Sequence, residues 1–173
     1  DYTFDMKYGF RDYRGGGRAS ARETLARVAA GAVASKILKL ACGTEILSWV
    51  ESVGTVTSNV DASKVTLEAV EASPVRCPDP EASEKMAKAV AEAKFAKDSI
   101  GAVLALDIRK PPVAVGEPVF DKAQAVLGGA LLIISAVKGF EIGEGFHAAE
   151  LRGSENNDVV RFGDGKYRTL TNR

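Results

Sequence analysis

A glycine-rich segment that leads directly into a capped helix constrains the fold of this chain more than any other stretch. The segment runs from Arg11 to Thr24 and reads RDYRGGGRASARET. Three consecutive glycines let the backbone adopt positive φ angles or approach a ligand closely. Ser20, followed three residues later by Glu23, fits a capping box, in which the serine hydroxyl accepts from the N3 amide and the glutamate reaches back. We therefore predict a turn at the glycines and a helix that begins just after Ser20.

The same segment has the composition of an anion-binding site. A helix start offers unpaired backbone N–H groups and the positive end of the helix dipole. Arg14, Arg18 and Arg22 lie in this segment, and guanidinium groups bind phosphate and carboxylate through paired hydrogen bonds. We expect these arginines to crowd the helix start and to hold phosphate or carboxylate there.

Hydrophobic periodicity predicts the remaining elements. Helices are expected over about 21–41, 81–97 and 121–132. The first is rich in alanine, ends at Gly43, and is expected to be buried between sheets. Strands are expected over 1–10, 100–108 and 135–142, and 44–57 is expected to form either a strand pair or one long strand bent at Gly54. The strand over 100–108 is nearly continuously apolar, which predicts cover on both faces. Asp107 within it is either a paired carboxylate at the edge of the core or a functional one.

Composition and charge narrow the function classes. The chain has 23 lysine and arginine residues and 23 aspartate and glutamate residues. With no net charge, it has no overall electrostatic attraction for nucleic acid or an anionic membrane. Neither partner is expected, and no apolar run is long enough to span a bilayer. Cys42 and Cys77 fit no metal spacing and are expected to be buried thiols, so no metal site is predicted. His147, the only histidine, is expected on the surface or as a cap.

The size of the chain, 173 residues, fits a single domain. From residue 152 the composition turns polar, and we predict that 152–173 is a mobile loop or tail. The start of the chain shows no signal-peptide pattern. A cytoplasmic location is therefore expected, with a plastid as the alternative if a transit peptide lies upstream.

Four separated segments resemble chorismate synthases: RDYRGGGRASARET, GEPVFDK, AVKGFEIGEGF and LRGSENND occur in the order that this family shows them. The resemblance covers essentially the whole chain. It implies an α+β fold, a β-α-β sandwich with a central helical layer between antiparallel sheets. It also implies assembly as a homotetramer.

The resemblance further implies a lyase of the shikimate pathway, which leads to the aromatic amino acids. Chorismate synthases convert 5-enolpyruvylshikimate 3-phosphate to chorismate by a net 1,4-anti elimination of phosphate and a ring proton. The family uses reduced FMN, and its bifunctional members use NADPH to reduce that flavin.

The family motifs carry over to named positions of this chain. The resemblance places contacts with FMN at Arg18, Ala19, Ser20, Ser135 and Ala136. It places contacts with the substrate at Arg18, Ser20 and Arg22. Ala19 and Ser135 stand where family members often have serine and asparagine, which predicts contact through the backbone there. No residue is predicted to be catalytic, and His147 matches neither catalytic histidine of the family.

Segments that the family carries elsewhere are not found in these residues. An RPGHAD motif with a histidine is expected just before Asp1, and a GGI-x-GG-x-S-G segment after Arg173. The 173 residues alone are therefore expected to be inactive. One alternative is a non-catalytic structural or assembly core of the enzyme. A second is an RNA-binding module, since Arg14–Arg18 reads RGGGR near several tyrosines, although its basic excess is small.

Overall fold

A computed structural model of the protein describes residues 2–15, 17 and 20–171. They form two compact units, one made of Asp1–Val28 and Ala114–Arg173, the other of Ala29–Val113. A long helix, α2 (Thr24–Cys42), begins in the first unit and ends in the second. It follows a short helix, α1 (Tyr2–Tyr8). Helices and antiparallel strands together give an α+β fold, as predicted.

A three-stranded antiparallel sheet lies at the centre of the unit Ala29–Val113. Strand β1 (Glu45–Val53) lies between β2 (Val56–Thr57) and β3 (Ala102–Arg109). Gly54 closes the β1–β2 hairpin with a φ of +56°, a conformation that glycine adopts at little steric cost. The predicted strand pair with its bend at this glycine is confirmed.

Two capped helices follow the hairpin in the same unit. Helix α3 (Leu67–Ala72) begins after Thr66, whose hydroxyl accepts from the backbone amide three residues later. Helix α4 (Pro80–Phe95) begins after Asp79, whose carboxylate accepts from two backbone amides of the first turn. Side-chain caps satisfy amides that the helix itself leaves unpaired. The start predicted for α4 is confirmed.

The core of this unit consists of two apolar clusters. One contains Trp49, Val65 and Val70, and the other contains Val53, Cys77, Ala82 and Met86. The prediction that both cysteines are buried is wrong for Cys42, which is exposed at the end of α2.

Two apolar faces predicted to be buried are exposed. On β3, Val103, Leu104 and Leu106 are 53%, 64% and 42% exposed, so the prediction of cover on both faces is wrong. No described residue of α2 is buried, and its exposed apolar residues are Leu25, Val28, Val33, Ile37 and Leu40. The helix itself is confirmed, but its predicted burial is wrong. Periodicity identifies an apolar face without showing what covers it.

The first ten residues were predicted as a strand, and that prediction is wrong because α1 is a helix. The rings of Phe4 and Tyr8 lie with their centroids 5.4 Å apart, a contact that the i,i+4 spacing of a helix allows. Gly9 ends the helix with a φ of +78°, and its amide donates to the carbonyl of Asp5 at 2.9 Å. None of the residues of α1 is buried.

The stretch Ala114–Arg173, which belongs to the same unit as α1, contains a helix and a hairpin. Helix α5 (Ala123–Leu132) is confirmed. Strands β4 (Val160–Gly163) and β5 (Lys166–Thr169) pair in an antiparallel hairpin. The prediction that 152–173 is loop is therefore wrong for these two strands. None of the described helices is long and apolar enough to cross a membrane.

Candidate functional site

The glycine turn that was predicted before the helix is present. Gly15 and Gly17 have φ angles of +73° and +60°, which strain a residue with a side chain. The amide of Gly15 donates to the carbonyl of Asp12 at 3.1 Å, and the amide of Ser20 donates to the carbonyl of Gly17 at 3.2 Å. Both bonds are of the i+3→i type that is typical of turns.

Part of the predicted site lies outside the residues that the structure describes, namely Gly16, Arg18 and Ala19. The expected contacts of Arg18 and Ala19 with FMN, and of Arg18 with the substrate, therefore stay predictions. The other predicted residues of the site, Ser20, Arg22, Ser135 and Ala136, are all described.

Ser20 caps the helix start, as predicted, but through a different amide. A 3-10 turn over Ala21–Glu23 precedes α2. The Ser20 hydroxyl accepts from the amide of Arg22 at 3.2 Å, and the Ser20 carbonyl accepts from the amide of Glu23 at 3.2 Å. The prediction that the hydroxyl would take the N3 amide is wrong. The first turn is a 3-10 turn, in which the N3 amide bonds to the carbonyl three residues back.

An open hollow of about 390 Å³ lies at this helix start. Gly17, Ser20, Arg22 and Glu23 line it among the described residues. The glycine leaves room for close approach, the hydroxyl can donate or accept, and the guanidinium supplies up to five donors. These groups are of the kind that an anion site uses, and the predicted binding of an anion at this turn stays a prediction.

Of the described residues that line the hollow, Arg22 is the one that carries a guanidinium. No described residue forms an ion pair or a side-chain hydrogen bond with its guanidinium, and the residue is exposed. A guanidinium that no described residue pairs can form both hydrogen bonds of a bidentate contact with a phosphate or carboxylate.

Two neighbouring arginines are already paired. Arg14 forms a bidentate contact with Asp12, with distances of 3.0 Å and 3.1 Å, and Arg11 donates to Asp5 at 3.0 Å. Hydrogen bonds from the side chain and then the backbone amide of Arg14 lower the pKa of Asp12 below its ordinary value. Arg14 is not among the described residues that line the hollow, and its guanidinium is paired with Asp12, so its predicted part in the anion site stays a prediction.

Glu23, which sequence reasoning placed only in the cap, also lines the hollow. Glu23 Oε1 accepts from Nη2 of Arg27 at 2.7 Å. The Glu23 side chain is 24% exposed and that of Arg27 is 42% exposed. The i,i+4 spacing of the two residues could have revealed this pair, since that spacing places them on one helix face. That Glu23 is among the residues lining the hollow could not be read from the spacing.

The second predicted flavin contact lies in a turn after α5, not in a strand. The amide of Val137 donates to the carbonyl of Ile134 at 3.2 Å, and Ala136 has a φ of +71°. A left-handed residue at the third position of a β-turn interrupts an extended chain, so the strand predicted over 135–142 is wrong. Ser135 and Ala136 are exposed, and no hydrogen bond or ion pair among the described residues joins them to the hollow.

The only histidine of the sequence is not among the described residues that line the hollow. His147 lies in a 3-10 turn over Gly145–Glu150, and its Nδ1 is 3.2 Å from Oε2 of Glu150. Its predicted surface position is confirmed, with 57% of its side chain exposed. Within the described part of the chain, no group of three or more potential metal ligands comes together.

Comparisons with known proteins agree over the whole chain. The family model described as chorismate synthase matches residues 1–173. The chorismate synthase of a Synechococcus species is 50% identical over 173 residues, which cover 100% of this chain and 46% of that protein. The chorismate synthase of a Synechocystis species is 49% identical over 174 residues, covering 100% of this chain and 48% of that protein.

A solved structure agrees with the sequence matches. A crystal structure of a chorismate synthase superposes with a TM-score of 0.87 at 34% sequence identity. The match covers 99% of this chain and 56% of that one. The chain thus spans about half the length of the curated relatives it matches.

Proposed function

Because this chain belongs to the chorismate synthase family, we propose that it supplies an anion-binding part of an enzyme that makes chorismate. The reaction is the 1,4-anti elimination of phosphate and a ring proton from 5-enolpyruvylshikimate 3-phosphate, a step of aromatic amino acid biosynthesis. The observation that carries this proposal is Arg22, which lines the hollow at the helix start and whose guanidinium is paired with none of the described residues. Ser20 adds a hydroxyl beside it.

Arg22 has two tasks in this proposal. It orients the substrate by a bidentate contact with its phosphate or with one of its carboxylates. If it holds the phosphate, its fixed charge also stabilises the negative charge that the phosphate gains as the carbon–oxygen bond breaks. Preorganised charge of this kind acts without any reorganisation at the moment of reaction.

The residues present also fit the phosphate of a flavin. Guanidinium and hydroxyl donors suit phosphate, and FMN and the substrate both carry one. Ser135 and Ala136 are exposed residues of a turn in which Ala136 is left-handed, which supports contact with a flavin through the backbone. Reduced FMN, when bound, supplies electron density to the reacting ring and recovers it, so the reaction has no net redox change. NADPH would be the reductant in a bifunctional protein.

We infer that a polypeptide of these 173 residues alone does not complete the reaction. Loss of the ring proton requires a general base, and His147 is paired with Glu150 in an exposed turn. The uncovered apolar residues of α2 favour the second candidate function for the isolated segment, a structural core that further polypeptide completes. The homotetramer expected of the family belongs to the same proposal.

Anaerobic turnover tests the proposal. The intact protein is mixed with 5-enolpyruvylshikimate 3-phosphate and chemically reduced FMN, and chorismate and phosphate are quantified. The proposal predicts equal amounts of both products, and none from a polypeptide limited to these residues. An intact protein that binds the substrate without releasing phosphate would retain only the structural candidate.

A further inference from the structure

The ring of Phe140 lies against Gly128 of α5, and we propose that this contact positions the turn to which the flavin contact is assigned. Ser135 and Ala136 lie between the two residues in the chain. The inference rests on the proposed function, because it names what holds those two residues in place for the flavin. Gly128 and Phe140 are thus positioning residues rather than catalytic ones.

Gly128 leaves the space into which the ring of Phe140 fits. A Cβ added at Gly128 would lie 2.9 Å from Cδ1 and 3.2 Å from Cε1 of Phe140. Carbon atoms attract each other best at about 3.5–4.0 Å, so the first of these distances is an overlap. Gly128 is buried and Phe140 is half-buried. A side chain at position 128 would therefore displace the ring.

The neighbouring glycine shows that this close fit is specific to one position. Helix α5 contains Gly128 and Gly129 in succession, although glycine destabilises a helix relative to alanine. Gly129 is exposed, and nothing lies within 4 Å of a Cβ added there. Packing thus accounts for the glycine at position 128 but not for the one at position 129.

The turn is held on both sides. Helix α5 ends at Leu132, just before the turn begins, and Phe140 returns the chain to the same helix after it. Within the turn, the amide of Val137 donates to the carbonyl of Ile134 at 3.2 Å, and Ala136 has a φ of +71°. A left-handed residue with a side chain persists only where its surroundings restrain it. The ring seated on α5 supplies such a restraint.

The chain that follows the ring is restrained as well. A Cβ added at Gly145 would overlap the carboxylate of Glu141, so the Glu141 side chain lies over that glycine. The amide of Gly145 donates to the carbonyl of Ile142 at 3.1 Å. Because the chain is held on this side, a displacement of Phe140 is passed toward Ala136 rather than absorbed further on.

A purely structural role for the contact makes a different prediction. A change in the contact would then alter the temperature of unfolding, and the folded protein would bind FMN as before. A change in flavin affinity, measured well below the unfolding temperature, therefore separates the two roles.

Four variants of the intact protein test the inference. Gly128→Ala places a Cβ against the ring, and Gly129→Ala is the matched control on the same helix. Phe140→Val removes the two atoms that the Cβ would approach most closely, Cδ1 and Cε1, and keeps the Cγ position, 3.7 Å from it. The fourth variant combines Gly128→Ala with Phe140→Val, which makes room for the added Cβ.

Two measurements are made on each variant. The dissociation constant of oxidised FMN is obtained by fluorescence titration, at a temperature where every variant is folded. Hydrogen exchange of the peptide that covers 134–140 is followed by mass spectrometry without flavin, and reports on the turn itself.

We expect Gly128→Ala to weaken FMN binding about fivefold or more, the size of one hydrogen bond to the backbone, and to speed exchange in the turn. Gly129→Ala stays within about twofold of the wild type. The combined variant recovers most of the lost affinity, because the two sites are coupled. If Gly128→Ala does not fold, Phe140→Val decides, since loss of the ring also frees the turn and weakens FMN binding.

Faster exchange with unchanged FMN affinity in Gly128→Ala would overturn the inference alone, as would no change in either measurement. Equal losses of affinity in Gly128→Ala and Gly129→Ala would overturn it too, because only one of the two added Cβ atoms meets the ring. A wild type that does not bind FMN would count against the flavin contact of the proposed function, and the inference would fall with it.

Discussion

Arg109 donates from Nε to Oδ2 of Asp107 at 2.8 Å near the end of β3. Its Nη2 also donates to the carbonyl oxygens of Ala62 at 2.6 Å and Val65 at 2.9 Å. Both charged side chains are largely buried, at 26% exposed for Arg109 and 30% for Asp107. Of the two roles that the sequence left open for Asp107, the structure supports the paired one, in which the pair ties the segment before α3 to the sheet.

Replacing Arg109 by alanine is expected to lower the free energy of unfolding by about 2–3 kcal/mol. The variant leaves two carbonyls without their donor and a half-buried carboxylate without its partner. Urea denaturation measures the change, with Lys85→Ala as a control at an exposed pair on α4, for which no measurable change is expected. Equal midpoints for the wild type and Arg109→Ala would show that the three bonds add nothing to stability.

Local signals explain which parts of the fold were predictable. Asp79 followed by Pro80 marks the start of α4, because a cap and its first turn need only neighbouring residues. The alternating aromatic residues of α1 suggested a strand, yet Phe4 and Tyr8 pack at i,i+4 and Gly9 ends a helix. Burial was the weakest prediction, as α2 shows, because an apolar stripe does not reveal its covering layer.

The loop before α5 provides a second test of stability. Gly116 has a φ of +86°, and a Cβ added there would lie 2.5 Å from the backbone nitrogen of Ala123. The amide of Glu117 donates to the carbonyl of Asp121 at 2.8 Å, closing the loop. We expect Gly116→Ala to destabilise the protein by about 1–3 kcal/mol through backbone strain and overlap.

Thermal unfolding of Gly116→Ala and Gly153→Ala measures this effect. Gly153 has nothing within 4 Å of its added Cβ and no positive φ, so its variant should unfold at the wild-type temperature. If Gly116→Ala unfolds at the same temperature as Gly153→Ala, the close approach does not constrain this loop.

Asp61 makes stability depend on pH. Hydrogen bonds from the Ser63 hydroxyl and amide, and then from Lys64, lower the pKa of Asp61 below its ordinary value of 3.8. A carboxyl with a lowered folded-state pKa stabilises the fold above the unfolded pKa, and this contribution is lost as pH falls through the folded value. We expect the free energy of unfolding to decline between about pH 5 and pH 2. Asp61→Asn is expected to remove the part of this decline that Asp61 causes. Unfolding curves across that range would contradict the assignment if wild type and variant decline in parallel.

The site was predictable where its chemistry is local. The glycine turn, the Ser20 cap and the place of Arg22 follow from adjacent residues. The ion pair between Arg14 and Asp12 depends on the orientation of the Arg14 side chain, which composition does not fix. Glu23 was assigned only to the cap, although it also forms a wall of the hollow.

The affinity of the Arg22 variant tests the central claim, that this guanidinium holds the anionic substrate. Isothermal titration of 5-enolpyruvylshikimate 3-phosphate into the intact protein compares wild type, Arg22→Ala and the control Arg14→Ala, whose guanidinium is paired with Asp12. The account predicts that Arg22→Ala weakens binding by about 1.5–3 kcal/mol, roughly tenfold to 150-fold, while Arg14→Ala stays close to wild type. An Arg22→Ala variant that binds the substrate as tightly as the wild type would contradict it.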